Sequence, residues 1–150
     1  MNLTDGQWNH ICLVRYDDQE NGNGTRFYCN GKLTYTLFDQ TSVMYSGGTF
    51  IIGQDLNVTD GSFNESRAFV GMITQVNLWS KWFDHNDVAS LSRACWGIPG
   101  DVIQWSGFID GIYGDIQLLN TSECHMPGKP SYARLKHFFL HDFVLNIIEK

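Results

Sequence analysis

The stretch RFYCNGKLTYTLF, residues 26–38, constrains the fold of this chain more than any other segment. Asn30-Gly31 stands at its centre, between two runs that are rich in aromatic and apolar residues. A two-residue β-hairpin of type I′ needs a positive φ at both central residues, and Asn-Gly is among the pairs that adopt it most readily. The stretch therefore predicts two antiparallel strands that meet at Asn30 and Gly31.

Short apolar runs predict further strands on both sides of this hairpin. Residues 8–17 contain the run Ile-Cys-Leu-Val, which is typical of a buried strand, and residues 49–54 are rich in β-branched and aromatic side chains. Residues 67–80 alternate along their whole length, as one long strand would. Two shorter strands are expected at residues 101–105 and 114–119. The body of the chain is thus expected to be mainly β, arranged as a sandwich.

One short helix is predicted within this β pattern. Asp84 is in position to cap it, and Asp87 stands three residues later, at the spacing of a capping box. Val88 and Leu91 follow at helical spacing, and the glycine- and proline-containing run at residues 95–100 ends the pattern after one or two turns.

Residues 125–150 differ in character from the rest of the chain. They begin with a stretch that has the composition of a linker, HMPGKPS. After it, apolar residues recur every four positions, at Leu135, Phe139, Phe143 and Ile147. This pattern predicts an amphipathic helical tail, which packs on a partner or begins a further segment. A helix at a membrane surface is the alternative, although Asp142 and Glu149 weaken it.

The charge of the chain is unevenly distributed. The net charge is −6, and residues 1–124 carry 6 Lys and Arg against 14 Asp and Glu, whereas residues 125–150 carry 4 against 2. Phosphate binding needs a positive surface, so the acidic body argues against nucleic acid as a partner. An acidic domain of extracellular type, or a cation binder, fits better.

Glycosylation sequons and cysteines favour a secretory route. The acceptor pattern Asn-x-Ser/Thr occurs at Asn2, Asn23, Asn57, Asn64 and Asn120. Composition alone would produce roughly 1.4 such sequons, so five is an excess. The four cysteines contain no C-x-x-C spacing, which favours disulfides over a metal site. The N-terminus lacks the pattern of a signal peptide, and we therefore expect the chain to be part of something longer.

Motifs that carry catalytic chemistry are absent from the sequence. It contains no G-x-S-x-G, phosphate loop, H-E-x-x-H or dinucleotide fingerprint. His137 and His141 are four residues apart on the expected tail helix, but two ligands without a third are weak evidence for a metal. His10 is expected to be a hydrogen-bonded structural residue of the first strand. The neighbouring carboxylates Asp17 and Asp18 are expected to be solvated in a turn rather than paired in a glycosidase cleft. We therefore expect no enzymatic activity.

A set of motifs resembles one family of proteins. WNHICLVRY, FYCNGKL, IIGQDLN, FVGMITQVNLW and PGDVIQW occur in the order of the C-terminal half of the pentraxin domain. The resemblance covers roughly residues 3–124. In pattern it is closest to the long pentraxins and to the pentraxin modules of adhesion-type receptors. It implies an all-β, antiparallel jelly-roll sandwich, related to laminin-G-like domains, with one short helix and with the N-terminal strands missing. Residues 1–124 would form this partial domain, and residues 125–150 the linker and helical tail.

The resemblance also implies roles for the cysteines. Cys12 resembles the second cysteine of the family's invariant disulfide, whose partner would lie before Met1. Cys95 and Cys124 resemble the pair that flanks the closing strands, and they are the preferred bridge. Cys29 has no obvious counterpart in the family.

The family usually binds two calcium ions, and the loop after residue 53 stands where the family's calcium loop does. Asp55 matches an acidic ligand, and Leu56 could offer its backbone carbonyl. Asn57 stands where the family has Asp, Asn64 where it has Glu, and Arg67 where it has a neutral amide. Calcium takes six to eight oxygens, several of them anionic, so replacing three carboxylates by one and adding a cation weakens the site. The resemblance therefore implies a degenerate calcium loop, in which Asn57 and Asn64 are better placed to carry glycan.

Two functions are consistent with these observations. The first is a non-catalytic extracellular recognition or adhesion module with a pentraxin-like fold, part of a larger secreted protein or cell-surface receptor. Its partner would be an extracellular protein or glycan; the parent protein could form homo-oligomers and would reach the membrane only as a receptor. The alternative is a calcium-dependent pentraxin lectin for phosphorylated head groups or glycans. In either case the location is secreted or at the extracellular side of the plasma membrane.

Overall fold

The computed structural model describes residues 8–16, 24–38, 50–54, 66, 68–94, 98–114 and 116–118. These residues belong to two compact units. The first contains the described residues up to 38 and those from 77 to 103. The second contains the described residues from 50 to 76 and from 104 to 118. The regular elements are β1 (Ile11–Tyr16), β2 (Gly24–Cys29), β3 (Lys32–Phe38), α1 (His85–Leu91) and a 3-10 helix (Trp105–Gly111).

The first unit is built on an antiparallel sheet in the order β1-β2-β3. The strands β2 and β3 form the predicted hairpin, and the turn residues Asn30 and Gly31 have φ angles of 51° and 76°. Both angles are positive, as a type I′ turn requires. The Asn30 side chain also ties the turn to the start of β1, because its Oδ1 accepts from the His10 backbone N–H at 2.9 Å and its backbone N–H donates to the His10 carbonyl at 2.8 Å.

A β-bulge interrupts the pairing of β2 with β3. Phe27 pairs with Tyr35, whereas the next residue, Tyr28, pairs with Leu33. Thr34 is therefore the extra residue, and its hydroxyl donates a hydrogen bond to the Phe27 carbonyl at 2.9 Å. A bulge of this kind increases the local twist of the strand.

The helix α1 packs against one face of this sheet. Asp84 caps it through hydrogen bonds from the backbone N–H groups of Asn86 and Asp87, and the Asp87 carboxylate accepts from the Asp84 N–H, which is the predicted capping box. Val88 is completely buried. The core under the helix consists of Cys12, Val14, Tyr28, Phe83 and Val88, with Trp79 and Leu91 packed against it.

Residues 77–80 and 98–103 are joined by several hydrogen bonds. The Ser80 N–H and hydroxyl donate to the two carboxylate oxygens of Asp101 at 2.7 and 3.0 Å. The Trp79 indole N–H donates to the Pro99 carbonyl at 3.0 Å. Gly100 is required here because a Cβ at this position would lie 2.5 Å from the Leu78 carbonyl oxygen. These contacts anchor the segment that leads into α1.

Several predicted strands are wrong. Residues 67–80 do not form one long strand, because the described part of this range pairs only at isolated bridges, Gln54 with Ala68 and Leu78 with Ile103. Gln75 has a φ of 57°, and this left-handed conformation breaks an extended chain. The runs at 49–54 and 101–105 contribute only those single bridges where they are described, and the described residues of 114–119 form no strand.

The architecture agrees with the expected fold class. Antiparallel sheet dominates the regular structure, and α1 is the single α-helix of the residues described. None of the helices in this part of the chain combines the length and the apolar run that a bilayer span needs.

Candidate functional site

The base of the loop that resembles a calcium loop lies in the second unit. Gln54 and Ala68 form an antiparallel bridge, and the Phe69 N–H donates to the Gly53 carbonyl at 2.9 Å. Gly53 has a φ of 83°, a left-handed conformation that glycine adopts without strain. Gln54 is 8% exposed, and it is the one buried polar residue among the residues that the structure describes. The bridge therefore holds together the two residues that precede and follow the segment 55–67 in the sequence.

The calcium ligands expected from the resemblance, Asp55, Leu56, Asn57 and Asn64, lie outside the described residues, as does Arg67. Among the described residues, no group of three or more His, Cys, Asp or Glu side chains is placed to hold a metal. The chemistry of the expected donor set fits calcium poorly, because it offers one carboxylate beside an arginine.

Other expected modification sites also lie outside the described residues. They are the sequons at Asn2, Asn23, Asn57, Asn64 and Asn120, and the cysteines Cys95 and Cys124. The tail, residues 125–150, with His137 and His141, is outside them as well.

The two described cysteines lie on opposite faces of the sheet. Cys12 pairs across the strands with Tyr28, whereas Cys29 pairs with Ile11. Side chains alternate along a strand, so Cys12 and Cys29 point away from each other and cannot form a disulfide together. Both are free thiols in this structure.

The surroundings of the two thiols differ. Cys12 is 7% exposed in the core, and burial raises the pKa of its thiol from 9.0 to about 11. Cys29 is half-buried on the other face. The buried thiol is thus held in its protonated, poorly nucleophilic form.

The histidines of the described region contribute to structure in different ways. The His85 imidazole Nδ1 lies 2.8 Å from the Tyr28 hydroxyl. His10 was expected to be a hydrogen-bonded structural residue; its backbone is bonded to Asn30, but its ring Nδ1 is buried without a hydrogen-bond partner. Burial lowers the pKa of His10, because the charged imidazolium is disfavoured away from water.

The structure brings together three residues that no sequence motif connects, Arg26, Tyr16 and Trp82. The Arg26 guanidinium carbon lies 4.5 Å from the centroid of the Tyr16 ring and 5.3 Å from that of the Trp82 ring. The two rings themselves meet edge to face, with centroids 6.1 Å apart. No sequence motif joins these residues, because strand register and the packing of the segment before α1 bring them together. We call these three residues the arginine–aromatic cluster.

Comparisons with known proteins agree on one family. The sequence model of the Pentaxin family matches residues 2–118. A sushi, von Willebrand factor type A, EGF and pentraxin domain-containing protein 1 from Rattus norvegicus is 30% identical over 127 residues, which is 80% of this chain and 3% of that protein. A pentraxin fusion protein from Xenopus laevis is 28% identical over 111 residues, which is 73% of this chain and 26% of that protein.

A C-reactive protein 1.1 from Limulus polyphemus is 26% identical over 106 residues, which is 67% of this chain and 43% of that protein. The chain therefore spans less than half of the length of each of these relatives. No solved structure shows a significant match. Since the family match covers most of the sequence and coincides with the antiparallel β architecture, the chain belongs to the pentraxin family.

Proposed function

We propose that this pentraxin-family chain is a non-catalytic recognition or adhesion module that works outside the cell as part of a larger secreted protein or receptor. The observation that carries the proposal is the family match over residues 2–118. One relative supports a modular setting, because its name combines a pentraxin domain with sushi, von Willebrand factor type A and EGF domains, and the match covers only 3% of its length.

The five sequons and four cysteines support the extracellular location. Expression of the full chain through the secretory pathway of cultured animal cells tests it. We expect the secreted protein to lose mass on enzymatic removal of N-glycans. The variants Asn57→Gln and Asn64→Gln are each expected to lose less mass in the same treatment, by the mass of one glycan. A secreted chain with no N-glycan at any of the five sequons would contradict the argument from the sequons. Mapping the disulfides of the same sample tests the proposed Cys95–Cys124 bridge.

The ligand is proposed to be a protein or glycan of the extracellular surface, with no nucleic acid as a partner and with the membrane reached only through a parent receptor. A biotinylated chain, assembled on streptavidin, is applied to intact cells and to cells treated with trypsin or with glycosidases. We expect binding that one of the two treatments abolishes, and streptavidin without the chain is the control. Equal signal from the chain and from the control would exclude a recognition role for this chain.

The alternative function is a calcium-dependent lectin, and the donor set is the reason to rank it second. Any ion that binds only the folded state raises the melting temperature. We expect no shift of the melting temperature between millimolar calcium and EDTA. The matched control is the triple variant Asn57→Asp, Asn64→Glu, Arg67→Gln, which restores the donor set that the family resemblance implies. A calcium-dependent rise of the melting temperature in the unmodified chain, as large as the rise in the triple variant, would favour the lectin.

A further inference from the structure

The arginine–aromatic cluster holds a guanidinium group in a defined place on the sheet. Arg26 lies on β2, and its guanidinium carbon is within 6 Å of two ring centroids, at 4.5 Å for Tyr16 and 5.3 Å for Trp82. The guanidinium is planar and more weakly hydrated than an ammonium group, so it is well suited to contact with ring faces. Contacts of this geometry are attractive because the ring faces carry partial negative charge.

The two rings are themselves anchored. Tyr16 is 7% exposed, and it lies over Gly24, where an added Cβ would approach the Tyr16 hydroxyl to 2.5 Å. Trp82 precedes the buried Phe83 of the core. The guanidinium is therefore held against a buried ring of the sheet and a ring next to the core, which limits the freedom that is lost when a ligand binds.

The Arg26 side chain also interacts with Tyr28, two positions further along the same strand. Burial raises the pKa of the Tyr28 phenol, and both the positive charge of Arg26 and a side-chain hydrogen bond from Arg26 oppose this effect. The Tyr28 hydroxyl in turn lies 2.8 Å from the His85 imidazole. Arginine carries five N–H donors, so the contact with Tyr28 leaves others for an anion.

The cluster is open to solvent on one side. Arg26 is half-buried, and Trp82 is 44% exposed. Thr36 pairs directly with Arg26 across β2 and β3, so the two side chains share one face of the sheet. Thr36 is half-buried and carries a hydroxyl that can both donate and accept a hydrogen bond. Arg26 thus has the Thr36 hydroxyl as its neighbour on the sheet and the exposed Trp82 indole against its guanidinium.

We propose that Arg26, Trp82 and Thr36 form a binding site for a carboxylate-bearing sugar residue of a glycan. A carboxylate matches the fork of guanidinium N–H groups in a bidentate contact, which is the strong form of this interaction. The exposed indole surface provides an apolar contact for the C–H face of a pyranose ring. Thr36 is placed for a sugar hydroxyl. The site rests on the proposed recognition function, names its ligand class, and needs no metal ion.

Titration of the full chain with methyl β-glucuronide in the presence of EDTA tests the site. Methyl β-glucoside is the matched neutral sugar, and acetate is the matched carboxylate without a sugar. Saturation-transfer NMR and chemical-shift titration measure the binding. We expect the glucuronide to bind roughly tenfold or more tightly than either of the other two, since hydrogen bonds to charged groups contribute on that scale.

Variants locate the binding on the chain. Arg26→Met is expected to weaken glucuronide binding roughly tenfold, and Arg26→Lys to weaken it less, because the charge stays but the planar fork is lost. Trp82→Phe keeps the fold and reduces saturation transfer to the ring protons of the sugar. Arg93→Met removes an exposed arginine of the same unit and is the control, with unchanged binding expected. Melting curves identify any variant that has lost its fold.

Three results would overturn the site: equal affinity for glucuronide and glucoside, equal affinity for acetate, or binding that Arg26→Met leaves unchanged. The cell-binding assay of the proposed function separates the two levels of failure. Cell binding by the unmodified chain without glucuronide binding would refute this site and leave the recognition function standing. Loss of both would refute the recognition function as well.

Discussion

Replacement of Val88 by Ala tests whether α1 is fixed on the sheet. Val88 is completely buried beneath Tyr28, Phe83 and the two core residues of β1. The replacement removes two carbon atoms from the core, which costs about 1.6 kcal/mol at ~0.8 kcal/mol for each buried carbon. The cavity that remains adds about 1 kcal/mol where the walls cannot collapse, and sheet strands form one wall here. Alanine is the better helix former and returns about 0.6 kcal/mol. The net expected loss in the free energy of unfolding is about 2 kcal/mol.

Urea denaturation measures this loss, with circular dichroism reporting backbone structure and tryptophan fluorescence reporting the five tryptophans of the chain, among them Trp79, which packs against the same core. Coincident transitions from the two probes would justify a two-state treatment. The matched control is Val102→Ala, because Val102 is 45% exposed and loses much less buried surface. Should the two variants differ by less than about 0.5 kcal/mol, the packing of α1 on the sheet is refuted, since surface substitutions typically fall within that range.

Three further predictions concern the cap, the thiols and the buried histidine. Asp84→Ala is expected to cost about 1 kcal/mol of unfolding free energy in the same urea assay, because it removes the acceptor of two N–H groups of α1; a loss near zero would contradict the capping role. In thiol labelling of the native chain, read out by peptide mass spectrometry, Cys29 is expected to react faster than Cys12. Burial raises the pKa of the Cys12 thiol from 9.0 to about 11. The stability that the protonated Cys12 thiol contributes is therefore complete below pH 9 and is lost as the pH rises toward 11. Equal labelling rates would refute the burial of Cys12. Burial lowers the pKa of His10 below 6.5, so the stability contributed by the neutral imidazole is complete above pH 6.5 and is lost as the pH falls through the folded-state pKa. Urea midpoints at pH 7 and pH 5 measure this loss. The variant His10→Gln is expected to reduce the difference between the two midpoints.

The features that were predicted correctly depend on residues close together in the chain. Asn30 and Gly31 determine the hairpin because the positive φ angles of the turn are a local property. Asp84 and Asp87 determine the start of α1 because a capping box needs only contacts within one turn of helix. The fold class followed from these local signals together with the resemblance, since the order of the motifs along the chain carries information that no single motif does.

The candidate sites were predictable to different extents. The resemblance implies a degenerate calcium loop after Gly53, and this stays a prediction because the expected ligands lie outside the described residues; the structure shows only the bridge between Gln54 and Ala68 beside it. The arginine–aromatic cluster could not be located from sequence, because Arg26 and Trp82 are far apart in the chain and meet only when the sheet and the segment before α1 have packed. The same holds for the cysteines: their spacing says nothing about which face each occupies.

The sequence by itself determined the local elements: the turn at Asn30-Gly31, the cap at Asp84, and the acidic, sequon-rich character of the chain. Tertiary structure decided which apolar alternations became strands. Residues 67–80 alternate as a strand does, yet the part described pairs only at single bridges, because a strand needs a continuous partner and a left-handed residue such as Gln75 ends the extended run. Strand register decided the rest, since it set Cys12 and Cys29 on opposite faces and placed Arg26 beside Thr36. Alternation of apolar residues is a property of one segment, whereas strand pairing and register depend on two segments. Pairing and register are therefore determined only in the folded chain.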